Sequence, residues 1–162
     1  MSNTINIALL GYGKMGQMIE SIADQHNVKV VTYYDENNLL KDTSENRKLL
    51  KEVSILVDFT LPSAVLKNVE LAAAMKKNMV IGTTGWQEQL PEVERIVKES
   101  NIGLLYGANF SLGVNLFYKV SEYAAQLFST FKNYDAYIEE SHHKMKKDAP
   151  SGTALVLKRL VQ

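Results

Sequence analysis

Cysteine is absent from the 162-residue chain. Without thiols there are no disulfides, no thiolate nucleophile and no Cys-ligated metal, so no metal site is expected and a reducing, cytoplasmic setting is the compatible one. Excess charge is absent too, because 18 Lys and Arg balance 18 Asp and Glu. With no extended basic run, neither nucleic acid nor an anionic membrane is an expected partner. No apolar run approaches the roughly 20 residues that a membrane-spanning helix needs. Met1-Ser-Asn-Thr carries no charged region ahead of an apolar stretch, and the Ile-Ala-Leu-Leu that follows has the length of a strand, so no signal peptide is expected.

What is present is enough apolar residue, 46% of the chain, to build a packed core. Residues 5–10 form a short apolar run that ends in Gly11-Tyr-Gly13-Lys-Met-Gly16. Beyond it Met15, Ile19 and Ile22 recur at helical spacing. A G-x-G-x-x-G is weak evidence alone, but one that follows a strand and opens a helix has the context of a dinucleotide fingerprint. In that reading Gly11 makes the tight turn, Gly13 lets a pyrophosphate reach the backbone, and Gly16 lets helix and sheet approach. The next strand, 28–34, runs into Asp35, about twenty residues further on, where an acid can hydrogen-bond ribose hydroxyls and repel a 2′-phosphate. No Lys or Arg occurs between Thr32 and Leu40. NADH is therefore expected over NADPH.

The alternation continues with a strand at 53–59, a helix at 62–76 opened by Pro62, a strand at 79–81, a helix at 89–99 and a strand at 102–106. Strands and helices in this rhythm make a doubly wound parallel sheet with right-handed crossovers, a Rossmann-type α/β fold. Ligands of such sheets sit beyond the carboxyl ends of the strands, which here are Gly11–Gly16, Asp35, Phe59-Thr60, Gly82–Thr84 and Gly107–Phe110. Trp86 reads as a packing residue rather than a stacking platform.

The rhythm changes near residue 111, which divides the chain into a dinucleotide-binding domain over 1–111 and the first part of a smaller α+β substrate domain over 112–162. In the second part an amphipathic helix carries Leu116, Phe117, Val120, Ala124, Leu127 and Phe128 on one side, a pattern that predicts core packing. A strand is expected at 135–140, then the chemistry becomes dense. His142 and His143 can exchange protons near neutral pH. Lys146 supplies a fixed positive charge. Pro150-Ser-Gly-Thr153 opens a helix over 153–160, with Ser151 or Thr153 available as cap and free N–H groups at its start. Each piece alone is commonly structural. Their crowding implies a small substrate with at least one carboxylate that gains or loses a proton during turnover.

Gly-Tyr-Gly-Lys-Met-Gly at 11–16, Val-Asp-Phe-Thr at 57–60, Gly-Thr-Thr-Gly-Trp at 82–86, Gly-Ala-Asn-Phe-Ser-Leu-Gly-Val-Asn at 107–115 and Glu-Ser-His-His-Lys-Met-Lys-Lys-Asp-Ala-Pro-Ser-Gly-Thr-Ala at 140–154 together resemble the dihydrodipicolinate reductase family, also called 4-hydroxy-tetrahydrodipicolinate reductases. The resemblance spans nearly the whole chain. It implies NAD(P)H-dependent reduction of a cyclic unsaturated dicarboxylate in the diaminopimelate route to lysine. By this resemblance His142 matches the acid/base residue and Lys146 its partner in proton donation, while His143, Gly152 and Thr153 match substrate-carboxylate contacts. Gly11, Tyr12, Gly13, Lys14, Met15, Gly16, Asp35, Gly82, Thr83, Thr84, Gly107, Ala108, Asn109 and Phe110 match the nucleotide contacts. The glycine loop is one residue shorter than in many members. The family's chains continue well past the equivalent of Gln162, so the second domain is expected to be incomplete here; a homotetramer is implied for the full-length protein. Two other readings remain open: a non-catalytic NAD-binding module, and another nicotinamide dehydrogenase on the same scaffold.

Overall fold

The computed structural model describes residues 4–142, 144 and 150–161. Its first part is built on five strands, β1 (Ile5–Leu10), β2 (Val28–Tyr34), β3 (Ile55–Asp58), β4 (Asn78–Ile81) and β5 (Leu104–Tyr106). They pair in the order β2-β1-β3-β4-β5, every pair parallel. Between and after them come α1 (Lys14–Ala23), α2 (Ser44–Leu49), α3 (Pro62–Ala74), α4 (Leu90–Ser100), α5 (Leu112–Phe128) and α6 (Gly152–Val161). The doubly wound α/β arrangement expected from the alternation is the one found.

The elements follow from their residues. Ile7 to Leu10 are all buried, as a central parallel strand covered on both faces requires. Pro62 occupies the first turn of α3, where its missing N–H has no helical partner to lose. That helix buries Val65, Val69, Ala72 and Ala73, one face at helical spacing. Thr43 caps α2 by accepting the Asn46 amide, and α4 stops at Asn101, a left-handed residue with φ 53°. The β1–β2 register slips between Ile7 and Ala8, whose partners are Val30 and Thr32, leaving Val31 as the extra residue of a bulge. Leu10, Leu56, Met79 and Ile81 of the sheet meet Val65, Val69 and Val93 of the helices in one core that also takes in Trp86.

The strand order has a consequence for binding. The chain moves outward from β1 to β2, then returns past β1 to β3, so the crevice between the carboxyl ends of β1 and β3 is the switch point of the sheet.

Contacts divide the chain into two compact units, which meet in sequence at Gly107 and Ala108. In the second unit α5 and α6 pack on each other, and Ser111 caps α5 by accepting the Val114 amide. Two expectations fail here. No residue of α5 is buried, and Leu116, Phe117, Val120, Leu127 and Phe128 are each more than half exposed, because a single helix partner covers only part of so wide an apolar face. Residues 135–140 are not in a strand either; among the described residues they pair with no other strand, and an isolated extended segment has no ladder to hold it.

Candidate functional site

Backbone hydrogen bonds stitch the switch point together. Gly11 N–H donates to the Tyr34 carbonyl at 2.8 Å, and Phe59 N–H donates to the Leu10 carbonyl at 2.8 Å. Gly11 has φ +90°, and a Cβ there would lie 2.5 Å from the Phe59 carbonyl oxygen, so both its backbone conformation and its neighbour demand glycine. Gly16 is buried, with the Gly11 carbonyl oxygen 2.4 Å from where its Cβ would be. Gly13 differs, since a Cβ there meets nothing within 4 Å. It precedes α1, whose N-terminus no side chain caps. Open backbone ahead of uncapped N–H groups is a cradle for an anion.

A cavity of about 490 Å³ lies over this crevice, lined by Gly11, Tyr12 and Gly13 from the loop, Asp35 and Glu36 from the end of β2, and Phe59 and Thr60 from the end of β3. Asp35 is held in place by its own turn. Its Oδ1 accepts the amides of Asn37 and Asn38, both at 2.9 Å, and Oδ2 takes neither. Tyr12 stacks on Tyr33 with ring centroids 3.8 Å apart, and its hydroxyl donates to Glu20, a bond that raises the Tyr12 pKa above its ordinary value. Lys14 and Met15 stand exposed at the start of α1.

The neighbouring strand ends join the same rim. Gly82 N–H donates to the Asp58 carbonyl at 2.8 Å, and a Cβ on Gly82 would lie 2.1 Å from the Phe59 ring. The Thr83 carbonyl accepts the Trp86 indole N–H at 2.7 Å, which places Trp86 in the interior as a packing residue. Thr84 is exposed, and Gly107 N–H donates to the Ile81 carbonyl at 3.1 Å. Ala108, Asn109 and Phe110 begin the second unit, where Asn109 Oδ1 accepts the Ser111 amide at 2.8 Å. Sequence reasoning passed over Asp58, a fully buried carboxylate that ties these loops together. A lone acid at the end of an apolar strand, with Thr60 two residues on, was the available clue.

In the second unit the structure assembles a cluster around Glu140. Its Oε1 accepts the Ser151 amide at 2.8 Å, and its Oε2 accepts the Ser151 hydroxyl at 2.6 Å and His142 Nε2–H at 2.9 Å. The Ser151 hydroxyl, then His142, then the Ser151 amide hold the Glu140 carboxyl down at about 2, so it is ionised at neutral pH. Ser151 in turn caps α6 by accepting the Ala154 amide at 3.1 Å. Gly152 and Thr153 are the first residues of that helix, and Gly152 fronts open space. His143 and Lys146 lie outside the described residues. Glu140 was not singled out from sequence, although an acid two residues before a histidine falls on the same side of an extended segment. Among the described residues no group of three or more His, Asp and Glu comes together to hold a metal ion. Among them, too, no helix is long and apolar enough to cross a membrane.

Residues 5–110 match the family described as dihydrodipicolinate reductase, N-terminus, and residues 113–162 match its C-terminal counterpart. The chain belongs to the dihydrodipicolinate reductase family. It is 39% identical over 154 residues to the 4-hydroxy-tetrahydrodipicolinate reductase of Christiangramia forsetii, covering 94% of this chain and 62% of that one. It is also 39% identical to the corresponding reductase of Methanocaldococcus jannaschii, covering 93% and 63%. The chain thus spans about three fifths of the length of these curated relatives. Among solved structures it resembles a dipicolinate-bound dihydrodipicolinate reductase from Paenisporosarcina sp. TG-14, with TM-score 0.75, 28% identity, and coverage of 98% of this chain and 65% of that one. GenD2 from gentamicin A biosynthesis, in complex with NAD, shares the fold at TM-score 0.57 and 14% identity. Within the dihydrodipicolinate reductase family, then, this chain carries the glycine loop, the five strand ends and the His142 segment.

Proposed function

We propose that the protein is a nicotinamide-dependent reductase that converts 4-hydroxy-tetrahydrodipicolinate to tetrahydrodipicolinate, with NADH favoured over NADPH. The observation that carries this reading is that the family match runs through both the glycine-loop unit and the unit holding His142. Its substrate class draws support from the dipicolinate, a planar pyridine dicarboxylate, bound to the Paenisporosarcina relative.

A bound reduced nicotinamide supplies the hydride. The chain's own residues do the rest. Gly11, Gly13 and the first-turn amides of α1 hold the pyrophosphate, and Asp35 Oδ2 takes ribose hydroxyls. Gly82–Thr84 and Gly107–Phe110 complete the nucleotide contacts. Two carboxylates, Asp35 and Glu36, line the cavity, and no Lys or Arg is among the described residues that line it. A 2′-phosphate brought there meets repulsion. His142 exchanges the proton that accompanies reduction, with Lys146 as its partner, while His143 and the Gly152-Thr153 amides hold a substrate carboxylate.

The test is NADH oxidation in the presence of substrate formed in situ from pyruvate and aspartate semialdehyde, with and without added pyridine-2,6-dicarboxylate. Substrate-dependent oxidation that the pyridine dicarboxylate inhibits competitively is the expected result. Cofactor binding with neither turnover nor inhibitor binding, in this chain and in one extended to the relatives' full length, would overturn the reading. For the cofactor, the dissociation constant for NADH is expected to lie below that for NADPH, and equal constants would remove the preference.

A further inference from the structure

Glu140 hydrogen-bonds to both the His142 ring and the turn that opens α6. One of its oxygens, Oε2, is shared by the Ser151 hydroxyl at 2.6 Å and His142 Nε2–H at 2.9 Å, and the other receives the Ser151 amide at 2.8 Å. Three charge-assisted hydrogen bonds on one carboxylate make a rigid junction. Its members are an acid/base ring on an extended segment and a helix N-terminus that begins eleven residues beyond Glu140. The helix start is secured in the same junction, since Ser151 is buried and also accepts the Ala154 amide.

We infer that Glu140 is a positioning residue that locks His142 through Nε2 and the Ser151 turn through both of its donors, so that the ring and the amides of Gly152 and Thr153 meet a bound carboxylate as one preformed unit. This rests on the function proposed above. The lock specifies chemistry as well as place. An ionised Glu140 can only accept, so His142 Nε2 must carry hydrogen, and Nδ1 is left as the ring nitrogen that exchanges a proton with the ligand. Serine supplies what alanine could not, because its hydroxyl donates to Glu140 and accepts from Ala154 at once. Among the described residues that line a cavity of about 370 Å³, Lys158 of α6 is the charged side chain besides Glu140. A glutamine at 140 keeps size and one acceptor but presents N–H groups to either His142 or Ser151, so it cannot satisfy both.

The experiment is nitrogen-15 NMR of the histidine rings in the whole chain, with His142 assigned through His142→Gln, alongside titration with pyridine-2,6-dicarboxylate and with NADH. The native chain is expected to show an Nε2–H proton on His142 that exchanges slowly with water. In Glu140→Gln that proton is expected to exchange about tenfold faster or more, as loss of a charge-assisted hydrogen bond implies. Affinity for the pyridine dicarboxylate is expected to fall by a similar factor, while NADH affinity, to which Glu140, His142 and Ser151 are assigned no contact, stays within about twofold. Ser151→Ala is expected to keep the His142 signal and lose part of the dicarboxylate affinity. Unchanged exchange at His142 Nε2 in Glu140→Gln would overturn the inference. Should that variant lose NADH binding and fold, Glu140→Asp, which keeps the charge but is one methylene short, is read by the same criterion. The ring signal decides the lock even in a chain that neither turns over nor binds the dicarboxylate, whereas absence of turnover with the lock intact counts against the proposed function alone.

Discussion

The Thr83 hydroxyl donates to Asp58 Oδ1 at 2.9 Å, joining the ends of two neighbouring strands through a carboxylate with no solvent exposure. The same oxygen accepts the Thr60 amide at 2.8 Å and the Thr60 hydroxyl at 2.7 Å, and Oδ2 accepts the Asn68 side-chain amide at 2.8 Å. A carboxyl group this deep is tolerated because it is so fully hydrogen-bonded. Asp58→Ala strands the buried Thr83 hydroxyl and loosens Thr60, at a cost of about 3 kcal/mol. Urea denaturation followed by Trp86 emission checks this, since the Trp86 indole is bonded to the Thr83 carbonyl. A loss under about 1 kcal/mol would show that the loops hold themselves.

The glycines of the loop separate folding from binding. Gly13→Ala adds a Cβ to open space, so the thermal midpoint should barely move while dinucleotide affinity falls. Gly11→Ala forces a left-handed φ of +90° on alanine and a clash with the Phe59 carbonyl, so it should cost about 2 kcal/mol or more of stability. Gly82→Ala meets the Phe59 ring and displaces it from the cavity wall. Thermal melts paired with NADH titrations distinguish the three; equal stability losses at Gly11 and Gly13 would contradict the geometry.

Acid should release the Glu140 junction. Its folded carboxyl sits at about 2 against an ordinary 4.5, so the junction contributes stability in full above 4.5 and loses it as pH falls from there towards 2. The Ser151 amide proton is expected to shift with a midpoint near the lower value, and Glu140→Gln to erase that step. A midpoint at 4.5 or higher would mean that the three donors do not engage the carboxylate in solution.

On α5 the apolar residues bear little folding load within the described structure. Phe117→Glu or Val120→Glu, each at a position more than half exposed, should change the unfolding free energy by no more than about 0.5 kcal/mol. The same changes should reduce binding of an apolar dye such as ANS. A large loss of stability would show that this face is covered in solution.

Periodicity and punctuation carried the reading of the first unit. The strand and helix rhythm, Pro62 at a helix start and glycine after β1 are local properties, and parallel sheets allow few ways to connect them. That is why the doubly wound sheet and its rim could be named from residues alone. In the second unit a helical apolar stripe at 116–128 said that something should cover it, but not whether this chain does. Extended propensity at 135–140 likewise could not supply a strand partner.

In the first unit the sequence by itself determined which elements form, in what order, and which residue types with binding chemistry fall at their ends, because backbone sterics and side-chain spacing act over a few residues. Only the tertiary structure decided that Asp58 ties the loops after β3 and β4 to α3 and that Glu140 joins His142 to Ser151. Both carboxylates acquire their roles from partners ten to twenty-five residues away, and which donors reach a carboxylate is set by how distant elements pack.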